Sequence, residues 1–174
     1  MQGPPIAPRL AVGMNTQELE DYLRTRIPLA KAMAVEVRVA SESGVTLFAP
    51  LAPNINHRDT VFGGSASAVA ILAAWSALHV RMRSEGQEGR IVIRSNTMTY
   101  ERPITAGFTA TAAPPEPAAW QKFTVTLVRG RMARARLIAI LDCDGTRVGS
   151  LDAEFAVMPH TASLTMRQPD APAR

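Results

Sequence analysis

The sequence predicts an α+β domain in which a curved antiparallel sheet wraps around one long central helix. Residues 65–83 form a run of small and apolar residues that reads as a single buried helix. Strand-like segments lie on both sides of that run, two before it and four or five after it. A helix that is apolar on nearly every side must be covered all round, which a curved sheet and a partner subunit achieve together.

A shorter helix is predicted ahead of the first strands. Asn15 or Thr16 is suited to the N-cap position, and acidic residues follow in the first turn. An apolar stripe at helical spacing is formed by Leu19, Leu23 and Ile27. Pro28 then ends the helix or starts a short second turn that runs through Met33.

The strands are predicted from alternating apolar patterns and turn residues. The first two form a hairpin over 34–40 and 45–51. The segments after the central helix are predicted as strands over 90–101, 107–113, 120–129, 132–141 and 147–158. The Asp144-Gly145 pair marks a tight hairpin turn between the last two.

This order of elements is that of the hot-dog fold, and we expect a homodimer or a higher homo-oligomer. The domain is predicted over 15–160. The Pro/Gly-rich residues 1–14 are predicted to be a flexible arm, and residues 161–174 a flexible tail.

Charge, cysteine and histidine content and hydrophobicity indicate which partners and which cellular location to expect. The net charge of +4 and a pI near 10.0 favour acidic partners, such as a carrier protein or a phosphorylated cofactor. A single cysteine excludes an internal disulfide, and three scattered histidines predict no metal site. No signal peptide is evident, and the long apolar run is weakly hydrophobic, so we expect a cytoplasmic protein without a membrane partner.

The segment between the hairpin and the central helix predicts an oxyanion site. It ends in the run Phe62-Gly63-Gly64-Ser65, where two residues without Cβ atoms let a substrate come close to the backbone. The first N–H groups of a helix have no partner inside it and lie at the positive end of its dipole. They are therefore suited to bind a carbonyl oxygen that gains negative charge.

Side chains just upstream of that run are the candidate catalytic groups. Asn54, Asn56 and Thr60 are neutral groups that can donate hydrogen bonds, and His57 is a candidate base. Each has a structural alternative, because loop amides often bond to their own backbone. Ser65 is interpreted as an N-cap rather than a nucleophile, since no base stands at a recognisable spacing from it.

Several of these pieces resemble a known family. They are 26–33, 51–57 and 60–65, with Trp75 in the helix and Tyr100 and Pro103 after the next strand. Over about residues 15–158 the chain resembles the bacterial hot-dog domain labelled putative thioesterase, which occurs alone or fused behind an acetyltransferase domain. Members of that family are described as malonyl–acyl-carrier-protein decarboxylases that help to start fatty acid synthesis. The resemblance implies an enzyme of acyl-thioester chemistry.

The residues distinguish two reactions. Many hot-dog thioesterases resemble one another in placing an Asp or Glu on or near the central helix, but here 63–84 contain neither. Decarboxylation of a malonyl thioester needs only stabilisation of the enolate oxygen, which neutral donors provide. We therefore favour malonyl–acyl-carrier-protein decarboxylation over hydrolysis of acyl-CoA or acyl–carrier thioesters. A non-catalytic acyl-thioester sensor is the third option. The substrate itself carries phosphopantetheine or coenzyme A, so no separate cofactor is expected.

An arginine-rich stretch lies over 129–136. Arg134 and Arg136 are predicted to share one strand face, where they are candidates for docking an acidic carrier protein or the phosphates of coenzyme A. Nucleic acid is not expected, since no helix-turn-helix accompanies the stretch. The remaining alternative is an ordinary solvated sheet face.

Overall fold

A computed structural model describes residues 13–159, which form a six-stranded antiparallel sheet around a long helix. The helices are α1 (Thr16–Arg26), α2 (Pro28–Ala32), α3 (Gly63–Ser84) and α4 (Pro117–Val128), with a 3-10 turn at Ala52–Asn54. The strands are β1 (Glu36–Ser41), β2 (Gly44–Ala49), β3 (Arg90–Tyr100), β4 (Phe108–Ala112), β5 (Ala133–Cys143) and β6 (Thr146–Met158). The strand order is β1-β2-β4-β5-β6-β3, and the predicted hot-dog fold is confirmed.

Helix α1 begins as its sequence predicts. The Asn15 side chain accepts a hydrogen bond from the Glu18 N–H at 2.9 Å, and the Glu18 carboxylate accepts from the Asn15 N–H at 3.0 Å. This reciprocal pair satisfies two donors that the helix itself leaves open. The predicted arm and tail lie mostly outside the described residues, but Met14 already packs against the core.

Helix α3 is the predicted central helix, and it begins two residues earlier than predicted. Its N-cap is Phe62, so Ser65 lies inside the first turn and the N-cap prediction for Ser65 is wrong. Gly63 and Gly64 are the first two residues of the helix, and no side chain forms a capping hydrogen bond at its start. By length and composition α3 would pass for a membrane span, but it is the core helix and packs against both halves of the sheet.

Helix α4 replaces the strand predicted over 120–129. Its buried residues are spaced as on one helix face, and they are Trp120, Phe123 and Leu127. Pro117 in the first turn favours a helix start, and the Trp120 Nε1–H donates to the Glu85 carboxylate at 2.8 Å. The alternation seen in sequence shared two of those three residues with a strand pattern, whereas α4 packs on β5 and Trp120 contacts Arg81 and Glu85 at the end of α3.

The sheet register fixes which end of the molecule holds which element. At one end Tyr100 of β3 pairs with Gly149, and its hydroxyl donates to the Gly63 carbonyl at 2.9 Å. At the other end Ile91 and Ala133 both pair with Val157. The start of α3 and the start of β5 therefore lie at opposite ends, about 30 Å apart along the 22 residues of α3.

An aromatic stack fixes the middle of α3 against α1. The His79 ring stacks on Trp75 at 4.7 Å and on Tyr22 at 5.2 Å between centroids. Burial, assisted by the nearby charge of Arg83, lowers the pKa of His79 from 6.5 to about 4. The imidazole is therefore neutral at pH 7 and acts as an aromatic packing group.

Because of this stack, the free energy of unfolding depends on pH. The unfolded chain takes up the His79 proton at a higher pH than the folded protein, so stability is lost as pH falls from 6.5 to about 4. The loss attributable to His79 is roughly 3 kcal/mol, at ~1.4 kcal/mol per pKa unit. Urea unfolding across this pH range should show a flatter dependence in His79→Phe, which keeps a ring in the stack. An unchanged pH dependence in that variant would exclude His79 as the source.

Candidate active site at the start of helix α3

Asn56 organises the loop that leads into α3. Ile55 and Val61 form an isolated antiparallel bridge, and the Asn56 N–H donates to the Thr60 carbonyl at 2.8 Å. The Asn56 side-chain oxygen accepts from the Arg58 N–H at 2.7 Å, which closes the turn. This is the self-bonding of a loop amide that the sequence left as an alternative.

The same side chain orients Thr60. The Asn56 Nδ2–H donates to the Thr60 Oγ1 at 2.9 Å. Because that oxygen then acts as an acceptor, the hydroxyl hydrogen of Thr60 is left for another acceptor. Thr60 is half-buried and lines a cavity at the start of α3. Asn56 thus makes Thr60 a directed donor.

Asn54 is buried, with 1% of its surface exposed. Its side-chain Nδ2 donates to the backbone carbonyls of Met33 at 3.0 Å and Pro50 at 2.8 Å. Its backbone carbonyl accepts from the Phe62 N–H at 2.8 Å. Asn54 therefore joins the end of α2 to the residue that caps α3. The sequence predicts that the Asn54 side chain donates to the substrate. In this structure both of its amide hydrogens are instead used for backbone carbonyls.

The start of α3 is open to a ligand. Within residues 13–159 no side chain caps this helix, so the N–H groups of Gly63, Gly64 and Ser65 point outward at the positive end of the dipole. The Phe62 ring lies over Gly64, where a Cβ atom would come 2.2 Å from the Phe62 Cε1. Glycine at position 64 is what lets the ring settle there.

A cavity of about 350 Å³, which we call the helix-start cavity, lies beside Gly63, the first of these residues. Its lining residues are Thr60, Val61, Gly63, Ala66, Tyr100, Glu101, Arg102, Pro103 and Ile104. Glu101 accepts from Arg147 through Oε1, at 2.9 Å from Nε and 2.8 Å from Nη2. Arg102 forms no ion pair within the described residues, so its charge is available to an anionic group in this cavity.

A second, apolar cavity of about 290 Å³ lies further along α3. It is lined by Ile27, Leu29, Met33, Ala68, Ile71, Leu72, Trp75, Ile93 and Phe155. Gly64, Ala68, Ile71 and Trp75 follow one another at helical spacing and share one face of α3. An apolar surface thus begins about one turn beyond the open N–H groups.

The predicted site residues separate into two groups. Thr60 and Gly63 lie together on the helix-start cavity, with Gly64 and Phe62 adjacent to them. His57 is exposed, and its side chain forms no hydrogen bond within 13–159. Arg134 and Arg136 lie near the start of β5, at the far end of α3, where Arg136 pairs with Asp152.

Sequence reasoning missed two charged residues on the helix-start cavity and the residue that anchors it. Glu101 and Arg102 follow β3 directly, and Tyr100 holds the Gly63 carbonyl. Sequence order alone does not show that the end of β3 lies beside the start of α3, since the pairing of β3 with β6 at the sheet edge brings them together. Among residues 13–159, no three His, Cys, Asp or Glu side chains are grouped to hold a metal ion.

Comparison with solved structures agrees with this architecture. A putative thioesterase from Shewanella oneidensis is 25% identical, with a TM-score of 0.73 over 83% of this chain and 97% of that one. A protein of unknown function from Chlorobaculum tepidum is 22% identical, with a TM-score of 0.79 over 85% and 99%. A thioesterase from Haemophilus influenzae shares the fold at 13% identity, with a TM-score of 0.70 over 91% and 99%.

The model of one protein family matches residues 16–159, nearly the whole described part of the chain. The chain belongs to the family described as Putative thioesterase (yiiD_Cterm).

Proposed function

We propose that this enzyme decarboxylates malonyl–acyl-carrier protein to acetyl–acyl-carrier protein, a step that supplies a starter for fatty acid synthesis. The observation that carries the proposal is the hydrogen bond from Asn56 Nδ2 to Thr60 Oγ1, which leaves the Thr60 hydroxyl hydrogen free beside the open start of α3. The donors brought together there can stabilise the oxygen of an enolate, and none of them is a general base.

The reaction consists of one bond cleavage and one proton transfer. The bond between the malonyl carboxylate and the α-carbon breaks, and its electron pair moves through the α-carbon to the thioester oxygen as carbon dioxide leaves. Thr60 and the N–H groups of α3 stabilise that oxygen while it is an enolate. A proton from water then adds to the α-carbon and gives the acetyl thioester.

Charge in the helix-start cavity favours a substrate that carries a carboxylate. Glu101 is engaged by Arg147, so Arg102 supplies a cation that no described residue neutralises. A malonyl thioester presents an anion to this cavity and an acetyl thioester does not.

Hydrolysis of an acyl thioester is the second candidate, and one observation favours it. Glu101 lines the helix-start cavity and uses Oε1 for both contacts with Arg147, so Oε2 forms no hydrogen bond within residues 13–159 and can act as a base for water. A non-catalytic sensor is the third candidate, for which no feature of the site argues.

Analysis of the reaction products distinguishes the three candidate functions. The purified protein is incubated with malonyl– and acetyl–acyl-carrier protein, and with a medium-chain acyl–carrier protein, and the products are weighed by mass spectrometry. Decarboxylation removes the mass of carbon dioxide from the malonyl substrate alone. Free carrier thiol indicates hydrolysis and excludes the favoured proposal, and unchanged thioesters indicate a sensor. Running the coenzyme A thioesters in parallel identifies the preferred carrier.

A Glu101→Gln variant gives a sharper separation. We expect it to keep most of the decarboxylase activity, because no base is needed to break the carbon–carbon bond. A hydrolase that uses Glu101 as its base would lose activity by about 100-fold or more in the same variant. Arg147→Gln is the matched control, since it breaks the same ion pair and leaves the carboxylate in place.

The proposal also covers the oligomeric state of the protein and its location in the cell. The 11-residue strand β3 is at an edge of the sheet and exposes Ile93, and an edge of that length favours pairing with a second copy. We therefore propose a homodimer or a higher homo-oligomer that works in the cytoplasm, with the carrier protein or coenzyme A as the only other partner of the active site.

A further inference from the structure

The turn between α4 and β5, residues 128–132, is an exposed surface that the proposed reaction does not use. We call it the α4–β5 tip. All of its residues are exposed. Val128 exposes 79% of its surface, the highest fraction among the large hydrophobic residues of the described chain, and Met132 exposes 48%. Apolar side chains this exposed at a turn favour contact with a partner surface.

The chain segment that contains the tip carries charge of one sign. Residues 117–141 contain no Asp or Glu, and their cations are Lys122, Arg129, Arg131, Arg134 and Arg136. Only Arg136 has an ion-pair partner within residues 13–159, namely Asp152. The other four cations are therefore available to an external anion.

Cations and apolar groups alternate on the outer side of α4. Lys122, Val125 and Arg129 follow one another at helical spacing, and all three are exposed. The opposite face of α4 is anchored in the core, where Trp120 stacks on Phe123 at 4.9 Å. The tip is thus presented on a helix that the fold holds in place.

The position of the tip separates it from the active site. Ala133, which follows the tip, pairs with Val157 at the end of the sheet where α3 finishes, whereas Thr60 and Gly63 lie where α3 begins. The start of β5 and the helix-start cavity therefore lie at opposite ends of the subunit, about 30 Å apart. The docking role predicted for Arg134 and Arg136 stays a prediction.

We propose that the α4–β5 tip binds the surface of an anionic lipid bilayer. Lys and Arg side chains are attracted to anionic headgroups, and exposed apolar side chains beside them enter the interface. The tip exposes cations and apolar side chains together along its whole length, which suits a lipid surface that has anionic headgroups above an apolar interior. The contact is peripheral, and it adds a membrane surface to a chain whose sequence predicts no membrane partner.

Vesicle cosedimentation of the full chain tests the proposal. The chain should sediment with vesicles of phosphatidylcholine mixed with phosphatidylglycerol, should not sediment with phosphatidylcholine alone, and should be released by added salt. The double variant Arg129→Ser/Arg131→Ser should bind about 30-fold more weakly, which is about 2 kcal/mol at ~1 kcal/mol per cation. Val128→Asp should weaken binding as well, by placing a charge where the apolar contact is made.

A matched control removes the same charge elsewhere. Arg26→Ser/Lys31→Ser takes two exposed cations from α1 and α2 and should bind the mixed vesicles like the wild type. Equal binding by the Arg129/Arg131 variant and the wild type would overturn the proposal. So would absence of sedimentation with the mixed vesicles while an acidic carrier protein binds the tip, or conversion of an oligomer into a monomer by the tip variants. Circular dichroism confirms that each variant is folded before it is compared.

Discussion

Thr60→Val is expected to lower kcat for malonyl–carrier decarboxylation by about 100- to 1,000-fold, the typical effect of losing one donor to an oxyanion. Valine keeps the shape of threonine and removes the hydroxyl that Asn56 orients. The enolate oxygen would then have only the helix N–H groups as donors. The rate is measured as acetyl–carrier protein formed under saturating substrate, so that a change in KM does not hide the effect.

The control for this variant is Thr60→Ser, which retains the hydroxyl and should retain most of the rate. The melting temperature of both variants should stay near that of the wild type, because Asn56 keeps its 3.3 Å contact with the Val61 carbonyl. If Thr60→Val turned over malonyl–carrier protein at the wild-type rate, the hydroxyl would have no part in the reaction.

Asn54→Ala is expected to lower the free energy of unfolding by about 2–6 kcal/mol, since one buried and one part-buried carbonyl lose their donor at ~1–3 kcal/mol each. The carbonyls belong to Met33 and Pro50. This is a large share of the ~5–15 kcal/mol that holds a typical domain together. Urea unfolding at pH 7 measures the change.

The matched control for Asn54 is Asn96→Ala on β3, because Asn96 is exposed and should change stability by less than about 0.5 kcal/mol. Asn54→Asp should also be destabilised, because a carboxylate would face the same two carbonyl oxygens. An Asn54→Ala protein that unfolds at the wild-type urea concentration, yet has lost turnover, would return Asn54 to the role of substrate donor that the sequence argument gave it.

The sequence predicted most of the fold because its local patterns agreed with the packing. The reciprocal cap of Asn15 and Glu18 and the apolar central helix are each determined by residues near one another in the chain. Helix α4 was missed because Phe123 and Leu127 fit a strand pattern as well as a helix. Contacts of Trp120 with Arg81 and Glu85, more than thirty residues away, decided between the two.

The site was predicted in part for the same reason. Its backbone donors follow from Gly63 and Gly64, which are contiguous in sequence. The different roles of Asn54 and Asn56 cannot be predicted from sequence, because they depend on distances in the folded chain. The Asn54 amide nitrogen is 3.0 Å from the Met33 carbonyl oxygen, and the Asn56 amide nitrogen is 2.9 Å from the Thr60 hydroxyl oxygen. Glu101 and Arg102 reach the site only through the pairing of β3 with β6.

The most direct measurement is a crystal structure of the protein with a malonyl thioester analogue that cannot lose carbon dioxide. Thr60 and the start of α3 should hold the thioester oxygen, with the Thr60 Oγ1 and at least one of the Gly63, Gly64 and Ser65 nitrogens at about 2.7–3.1 Å from it. An oxygen bound away from these groups, or a water molecule held by Glu101 against the thioester carbon, would contradict the account.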